Sequence, residues 1–190
     1  MSVKPENMAM QHYSDEEILD MFRNEESRNM SLHYLIKKYQ EKLYWHIRKI
    51  IIDHDDTHDV LQNTFIKTWK GLGNFKADSK LYTWLYRIAT NESISFLRQK
   101  KANVTSISSI ENYLSKTLES SPLFLGDEIQ MKLQKAVLTL PEKQRIVFNM
   151  RYYDETPYDE MSKILETSAG ALKASYHHAA KKVEEYLLNH

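Results

Sequence analysis

A chain of 190 residues that is 42% hydrophobic, with only 4 Gly and 4 Pro, has enough apolar material for one ordinary domain or two small ones and the composition of a helical protein. Its formal charge is zero and it contains no Cys, which excludes a disulfide scaffold, thiol catalysis and any zinc site built on thiolates. No apolar run approaches the roughly 20 residues needed to span a bilayer, and Met1 to Gln11 lacks a signal-peptide core, so the expected setting is the cytoplasm, with no direct membrane insertion.

The charge is unevenly spread. Acids outnumber bases before residue 30, whereas residues 75 to 101 carry Lys76, Lys80, Arg87, Arg98, Lys100 and Lys101 against Asp78 and Glu92. Affinity for duplex DNA grows with the number of phosphates neutralised, so a neutral chain with one local basic surface reads DNA poorly without help.

In chain order, Tyr13 to Arg23 opens with Ser14 as N-cap and Glu17 three residues on, a capping box before Ile18, Leu19 and Phe22. From Ser31 to Ile52 the apolar positions Leu32, Leu35, Ile36, Tyr39, Leu43, Ile47, Ile50 and Ile51 recur at helical spacing and predict a long helix packed on the first. The run Asp53 to Asp59 places His54 and His58 at i, i+4 among Asp55 and Asp56, which suggests a metal site. No third fixed ligand accompanies them, and acids before a helix are ordinary N-terminal charge, so no metal is expected.

The next helix, about Thr57 to Leu72, has Val60, Leu61, Thr64, Phe65, Thr68 and Trp69 as its apolar side and Asp59, Gln62, Asn63, Ile66 and Lys70 opposite, a face suited to a protein partner or to solvent. Gly71 and Gly73 end it, and Asn74 to Lys80 form a loop in which Phe75 either packs inward or stacks on a base. Leu81 to Lys101 then separates into a core stripe of Leu81, Leu85, Ile88, Ala89 and Phe96 and an outer face of Arg87, Asn91 and Arg98, with Trp84 at its edge. Cations for phosphate, an amide for a base edge and an indole for stacking suit nucleic acid; a solvated face with a packed Trp is the alternative.

Residues 102 to 126 are Ser-rich, with few charges, and end in Pro122 and Gly126, which predicts a linker with one weak helical turn around Ile110 to Leu118. Beyond it, Asp127 to Leu138 and Glu142 to Tyr152 are helices, the second opened by Pro141. Thr156 is expected to cap a helix starting at Pro157, and Ser168 to cap a last one reaching about Leu188. On that last helix Leu172, Tyr176, Ala179, Val183 and Leu187 line one side and Lys173, His177 and Lys181 the other. A short helix, a three-residue turn and a longer helix with a basic stripe is the helix-turn-helix pattern.

These residues resemble the extracytoplasmic-function (ECF) sigma factors of bacterial RNA polymerase over nearly the whole chain. The first matching block is DVLQNTFIKTW at 59 to 69, with Phe75 and WLYRIATN at 84 to 91. The second is LPEKQRIVFNMRYY, PYDEMSKIL and GALKASYHHAAKKV. The resemblance implies an all-α protein of two small domains, sigma region 2 at 10–101 and region 4 at 127–190, joined by a linker at 102–126. It implies no cofactor and no catalysis.

It further implies that Asp59, Gln62, Asn63 and Phe65 grip the clamp helices of core RNA polymerase, Asn63 standing where Glu is common. Phe75, Lys76, Lys80, Trp84, Arg87, Asn91 and Arg98 would hold the minus-10 element as melted strand. Trp84 and Leu85 stand where primary sigma factors have a Trp pair, which implies weaker intrinsic melting. Arg151, Lys173, Ala174, His177, His178 and Lys181 would read the minus-35 element as duplex. Ser175, His178 and Ala180 replace Arg found in relatives, leaving fewer bidentate guanine contacts. Promoter DNA, core polymerase and an anti-sigma factor are the implied partners. A free-standing helix-turn-helix regulator, binding duplex without polymerase, is the competing reading.

Overall fold

A computed structural model describes residues 13–102 and 128–190, and every regular element among them is helical. In order these are α1 (Asp15–Arg23), α2 (Arg28–Ile51), α3 (His54–Gly71) with a 3-10 turn at Leu72–Asn74, α4 (Leu81–Ala102), α5 (Glu128–Leu138), α6 (Glu142–Tyr152), α7 (Tyr158–Leu165) and α8 (Ala169–Asn189). Two helical domains thus flank residues 103–127, and the weak turn expected at Ile110 to Leu118 lies outside the described residues. By internal contacts the chain divides into Met1–Glu41 and Lys42–His190.

Within the first unit, the capping box is present as anticipated: the Glu17 N–H donates to Ser14 Oγ at 3.1 Å and the Ser14 N–H to Glu17 Oε2 at 2.6 Å. The Asp15 carboxylate accepts from the Tyr39 hydroxyl at 2.7 Å and pairs with Lys38 at 2.7 Å, which pins α1 to the N-terminal part of α2. Ile18, Phe22 and Leu35 are buried there, and the Arg28 guanidinium lies over the Phe22 ring at 4.5 Å.

In the second unit, α3 and α4 bury narrow hydroxyl-bearing faces. Thr57, Val60, Thr64 and Thr68 are the buried residues of α3, while Leu61, Phe65 and Trp69 are half-exposed. On α4 the core face is Leu81, Leu85, Tyr86, Ala89, Thr90, Ser93 and Leu97, so Ile88 and Phe96, expected in the stripe, are only partly covered. The buried face is rotated because small hydroxyls satisfy themselves on their own helix. Thr64 donates to the Val60 carbonyl, Thr90 to Tyr86 and Ser93 to Ala89, each at 2.8 Å. Their remaining surface packs like a small apolar group.

Across α5, α6 and α8 a second core gathers Ala136, Val137, Leu140, Phe148, Ala179 and Val183, and the Phe148 ring stacks on Tyr176 at 5.8 Å. Residues 145 to 150 of α6 are all buried, Arg145 and Asn149 included. Helix α7 starts one residue later than expected. Pro157 is its N-cap, whereas Thr156 is buried and its N–H goes back to the Met150 carbonyl at 2.9 Å, closing the end of α6 instead. Glu166 ends α7 in the left-handed region at φ 51°, and Ser168 caps α8 through the Ala171 N–H at 3.3 Å. The turn between α7 and α8 is therefore closed at both ends by local bonds.

Candidate polymerase and nucleic-acid surfaces

Helix α3 starts where the sequence is densest in acid. Asp53 is the N-cap, accepting from the Asp56 N–H at 2.9 Å, and Asp55 and Asp56 occupy the first turn. His54 takes no part in a ligand cluster: its Nδ1 lies 2.8 Å from the Tyr44 hydroxyl, and its ring packs edge-on to His58. On the outer side Asp59, Gln62 and Asn63 are exposed together, and Ile66, 44% exposed, adds an apolar centre. Phe65 stands apart from them, half-buried at the edge of the face. An i, i+3, i+4, i+7 set of acid, two amides and an aliphatic group is a flat helical surface fitted to another helix.

The loop after α3 and the first turns of α4 line a half-open cavity of about 170 Å³ formed by Asn74, Phe75, Lys76, Asp78, Ser79, Trp84 and Arg87. Its aromatic wall is Phe75 against Trp84, centroids 5.2 Å apart and planes inclined by 44°. The indole reaches this position because α3 ends in glycine: a Cβ on Gly71 would lie 3.2 Å from Trp84 Cζ2. Ala77, at φ 57°, turns the loop through the left-handed region, which L-residues other than Asn, Asp and His seldom occupy.

Of the residues singled out on this surface, Phe75, Lys76, Trp84 and Arg87 converge on the cavity. Asn91 is exposed one turn farther along α4, and Arg98 lies about 16 Å beyond Arg87 at 1.5 Å rise per residue. Lys80 is exposed but does not line the cavity. Asn74, Asp78 and Ser79 do, and only their position between two helix ends marks them in the sequence. Two aromatic faces, two cations and three further hydrogen-bonding side chains around a space of this size suit a planar, polar, negatively tethered group.

On α8, Lys173, Ala174, His177, His178 and Lys181 are exposed on one side, and the rings of His177 and His178 are 5.9 Å apart. Arg151 reaches from α6 to the same end. Its guanidinium lies over the Tyr158 ring at 5.2 Å and Nη1 donates to the carbonyls of Glu155 and Thr156, both at 3.4 Å. Lys173 Nζ lies 5.7 Å from that ring, so Tyr158 holds two cations near the start of the α8 helix. Nothing in the linear pattern pointed to Tyr158.

Arg87 in the cavity wall and Lys80 outside it are both engaged. Lys80 pairs with Glu160 of α7 and Arg87 with Glu166 of the following turn, each at 3.2 Å. Deeper, Asp154 bonds Lys49 and lies 3.6 Å from His46 Nδ1. Burial would raise the Asp154 carboxyl, but the bonds and charges of His46 and Lys49 outweigh it and hold the group below its ordinary 3.8. Burial raises the Tyr86 phenol and pushes that of Tyr153 up to about 12, so both are neutral donors or acceptors.

Comparison with known proteins accounts for both halves. The family model described as sigma-70 region 2 matches residues 35–103, and that described as sigma-70, region 4 matches residues 130–183. The chain is 28% identical over 182 residues to the RNA polymerase sigma-H factor of Pseudomonas aeruginosa, covering 91% of this chain and 93% of that protein. It is 28% identical over 160 residues to the ECF RNA polymerase sigma-E factor of Escherichia coli, covering 79% and 83%. In fold it is similar to CnrH in complex with the cytosolic domain of CnrY, with TM-score 0.64 and 19% identity over 90% of this chain and 94% of that one. It is also similar to the sigma factor RpoE in complex with the anti-sigma factor NepR from Bartonella quintana, with TM-score 0.61 and 20% identity over 80% and 93%. With both regions matched in order and the helix-turn-helix in place, the chain belongs to the extracytoplasmic-function group of sigma-70 family RNA polymerase sigma factors, which direct promoter-specific initiation and are not enzymes.

Proposed function

We propose that this chain joins core RNA polymerase through the outer face of α3, reads the minus-35 element as duplex with α8, and holds the minus-10 element as a melted strand at the cavity between Phe75 and Arg87. The cavity is the observation that carries the reading, because a duplex reader has no use for a base-sized space walled by two aromatic rings. Extruding a base costs a few kcal/mol. Stacking on Phe75 and Trp84, worth roughly 1 to 3 kcal/mol per base, together with phosphate contacts from Lys76 and Arg87, offsets that cost.

In this reading, residues 10–101 form the polymerase and minus-10 domain, 102–126 the linker and 127–190 the minus-35 domain. Asp59, Gln62, Asn63 and Phe65 serve polymerase, with Ile66 added. Phe75, Lys76, Lys80, Trp84, Arg87, Asn91 and Arg98 serve the open strand, with Asn91 and Arg98 tracking the backbone or a second base beyond the cavity. Arg151, Lys173, Ala174, His177, His178 and Lys181 serve the duplex. The protein works in the cytoplasm, and its anti-sigma partner covers the α3 face and the cavity; CnrH and RpoE, each solved with such a bound partner chain, support that assignment. Among the described residues no helix is long and apolar enough to cross a membrane.

Co-elution of the purified chain with core polymerase, followed by transcription from a library of promoter fragments, tests the whole reading. The expected result is a stable complex that initiates on a subset sharing minus-35 and minus-10 sequences, and Ile66→Asp should weaken the complex. Tight duplex binding by the chain alone, with no affinity for core, would replace this reading with that of a free-standing regulator.

A further inference from the structure

The centre of the outer face of α8 is made of imidazole. Ala174, His177, His178 and Lys181 follow i, i+3, i+4 and i+7, which sets them on one side of the helix, and all four are exposed. Lys173 and Lys181 stand one turn to either side of His177, so ammonium groups flank the two rings. The rings lie 5.9 Å apart with planes inclined by 59°. Beyond this contact, neither imidazole has a hydrogen bond or an ion pair among the described residues. The helices packed against α8 bring cations and neutral groups towards this face. Arg151 of α6 and Lys173 share the Tyr158 ring of α7, and Gln144 of α6 accepts from Lys182 at 3.2 Å. Helix α5 meets α8 on the opposite side, where Ala136 and Val137 share a core with Ala179 and Val183. Of the acids on α8 itself, Glu185 lies 3.9 Å from Lys181, and Glu184 is exposed farther along.

Imidazole is the side chain that ordinarily changes charge between pH 5 and 8, and the change alters what it can read. A neutral ring offers one N–H donor and one acceptor, whereas a charged ring offers two donors and no acceptor. In the major groove guanine presents only acceptors, N7 and O6, while adenine sets a donor beside its acceptor and cytosine presents a donor. Charged imidazoles therefore favour guanine, and neutral ones serve adenine or cytosine as well. Phosphate oxygens close to the rings favour the charged form, so binding takes up protons wherever the free ring is neutral. Resting on the assignment of α8 to the minus-35 duplex, we propose that His177 and His178 couple recognition of that element to protons: falling pH tightens binding and turns base preference towards guanine. The two residues determine specificity, and what they specify changes with pH. The flanking lysines supply the constant part of the affinity and the imidazoles the variable part.

Fluorescence anisotropy of the full chain with a labelled duplex, selected by that chain from a randomised pool, reads the coupling. Between about pH 7.5 and about pH 6 affinity should rise about tenfold, since each proton taken up is worth at most about tenfold per pH unit. The double variant His177→Gln, His178→Gln keeps hydrogen-bonding side chains that cannot become charged, and its affinity should change by less than about twofold over the same range. Both positions are exposed, so the core is untouched. His190→Gln, at the end of the same helix, should retain the whole change. Duplexes selected by the unsubstituted chain at the lower pH should be richer in guanine than those selected at the higher pH, and the double variant should select the same sequences at both. Equal pH dependence in the unsubstituted chain and the double variant overturns the coupling. Identical selected sequences at both pH values in the unsubstituted chain overturn the change in base preference. Lys173→Ala tests the underlying reading separately. If it binds the duplex as tightly as the unsubstituted chain, the assignment of α8 to DNA fails; if it binds more weakly while the unsubstituted chain shows no pH dependence, only the proton coupling fails.

Discussion

The Trp84 indole lies so close to the last residue of α3 that a Cβ on Gly71 would come within 3.2 Å of its Cζ2. Gly71 has φ −92° and ψ −15°, a conformation open to any residue, so it is the indole and not the backbone that requires glycine. Gly71→Ala should leave stability within about 1 kcal/mol, the gain in helix propensity offsetting the crowding, while shifting the indole by a few tenths of an ångström. Tryptophan emission and open-complex yield should both change with the melting temperature nearly constant. If neither moves, the indole is not set by Gly71.

Trp84→Ala removes one wall of the cavity. The expected loss in promoter opening is about 1 to 3 kcal/mol, roughly fivefold to more than a hundredfold, with affinity for core polymerase kept because α3 is untouched. Permanganate reactivity of unpaired thymines in the minus-10 region reports opening directly. Equal opening by wild type and variant would remove Trp84 from the site.

Lys173→Ala should weaken binding to a minus-35 duplex and lower the slope of log affinity against log salt by about 1, as expected for one lost phosphate contact. His177→Ala should weaken binding with little change in slope if its ring contacts a base. Titration across salt separates the two, and unchanged affinity in both variants would detach the basic stripe of α8 from DNA.

Asp154 carries the pH prediction. Its carboxyl is held below the ordinary 3.8 in the folded chain, so its ionic contacts stabilise fully above 3.8, and that contribution is lost as pH falls through the lower folded value. Asp154→Asn should therefore lower the melting temperature near neutrality and show a shallower decline on acidification below 3.8. Melting curves of the two proteins that stay parallel through the acid range would mean that Lys49 and His46 do not hold the carboxylate.

The helix boundaries were legible wherever the determining chemistry is local. Ser14 with Glu17, Pro141 ahead of α6 and Ser168 ahead of α8 each act within one turn of their own residue, whereas α3, expected from about Thr57, starts at His54 with Asp53 as its cap. The exposed residues of α3 and α8 were legible for the same reason, since helical period alone separates Gln62 and Lys173 from Val60 and Leu172.

Tertiary structure decided what period cannot encode. Ile88 and Phe96 are more apolar than Thr90 and Ser93, yet Thr90 and Ser93 are the buried ones, because a hydroxyl bonded to its own helix's carbonyl no longer needs water. Thr156 reads as a cap and instead closes the preceding helix. The cavity exists only where the end of α3, the loop and α4 meet. The pairing of Lys80 with Glu160 and of Arg87 with Glu166 joins residues 80 and 79 positions apart, a separation at which no sequence pattern selects a partner. By itself the sequence determined which helices form and which charged residues stand on their outer faces. Only the fold decided which of those residues are already occupied, because occupancy depends on the packing of helices distant in sequence and not on the propensity of any one of them.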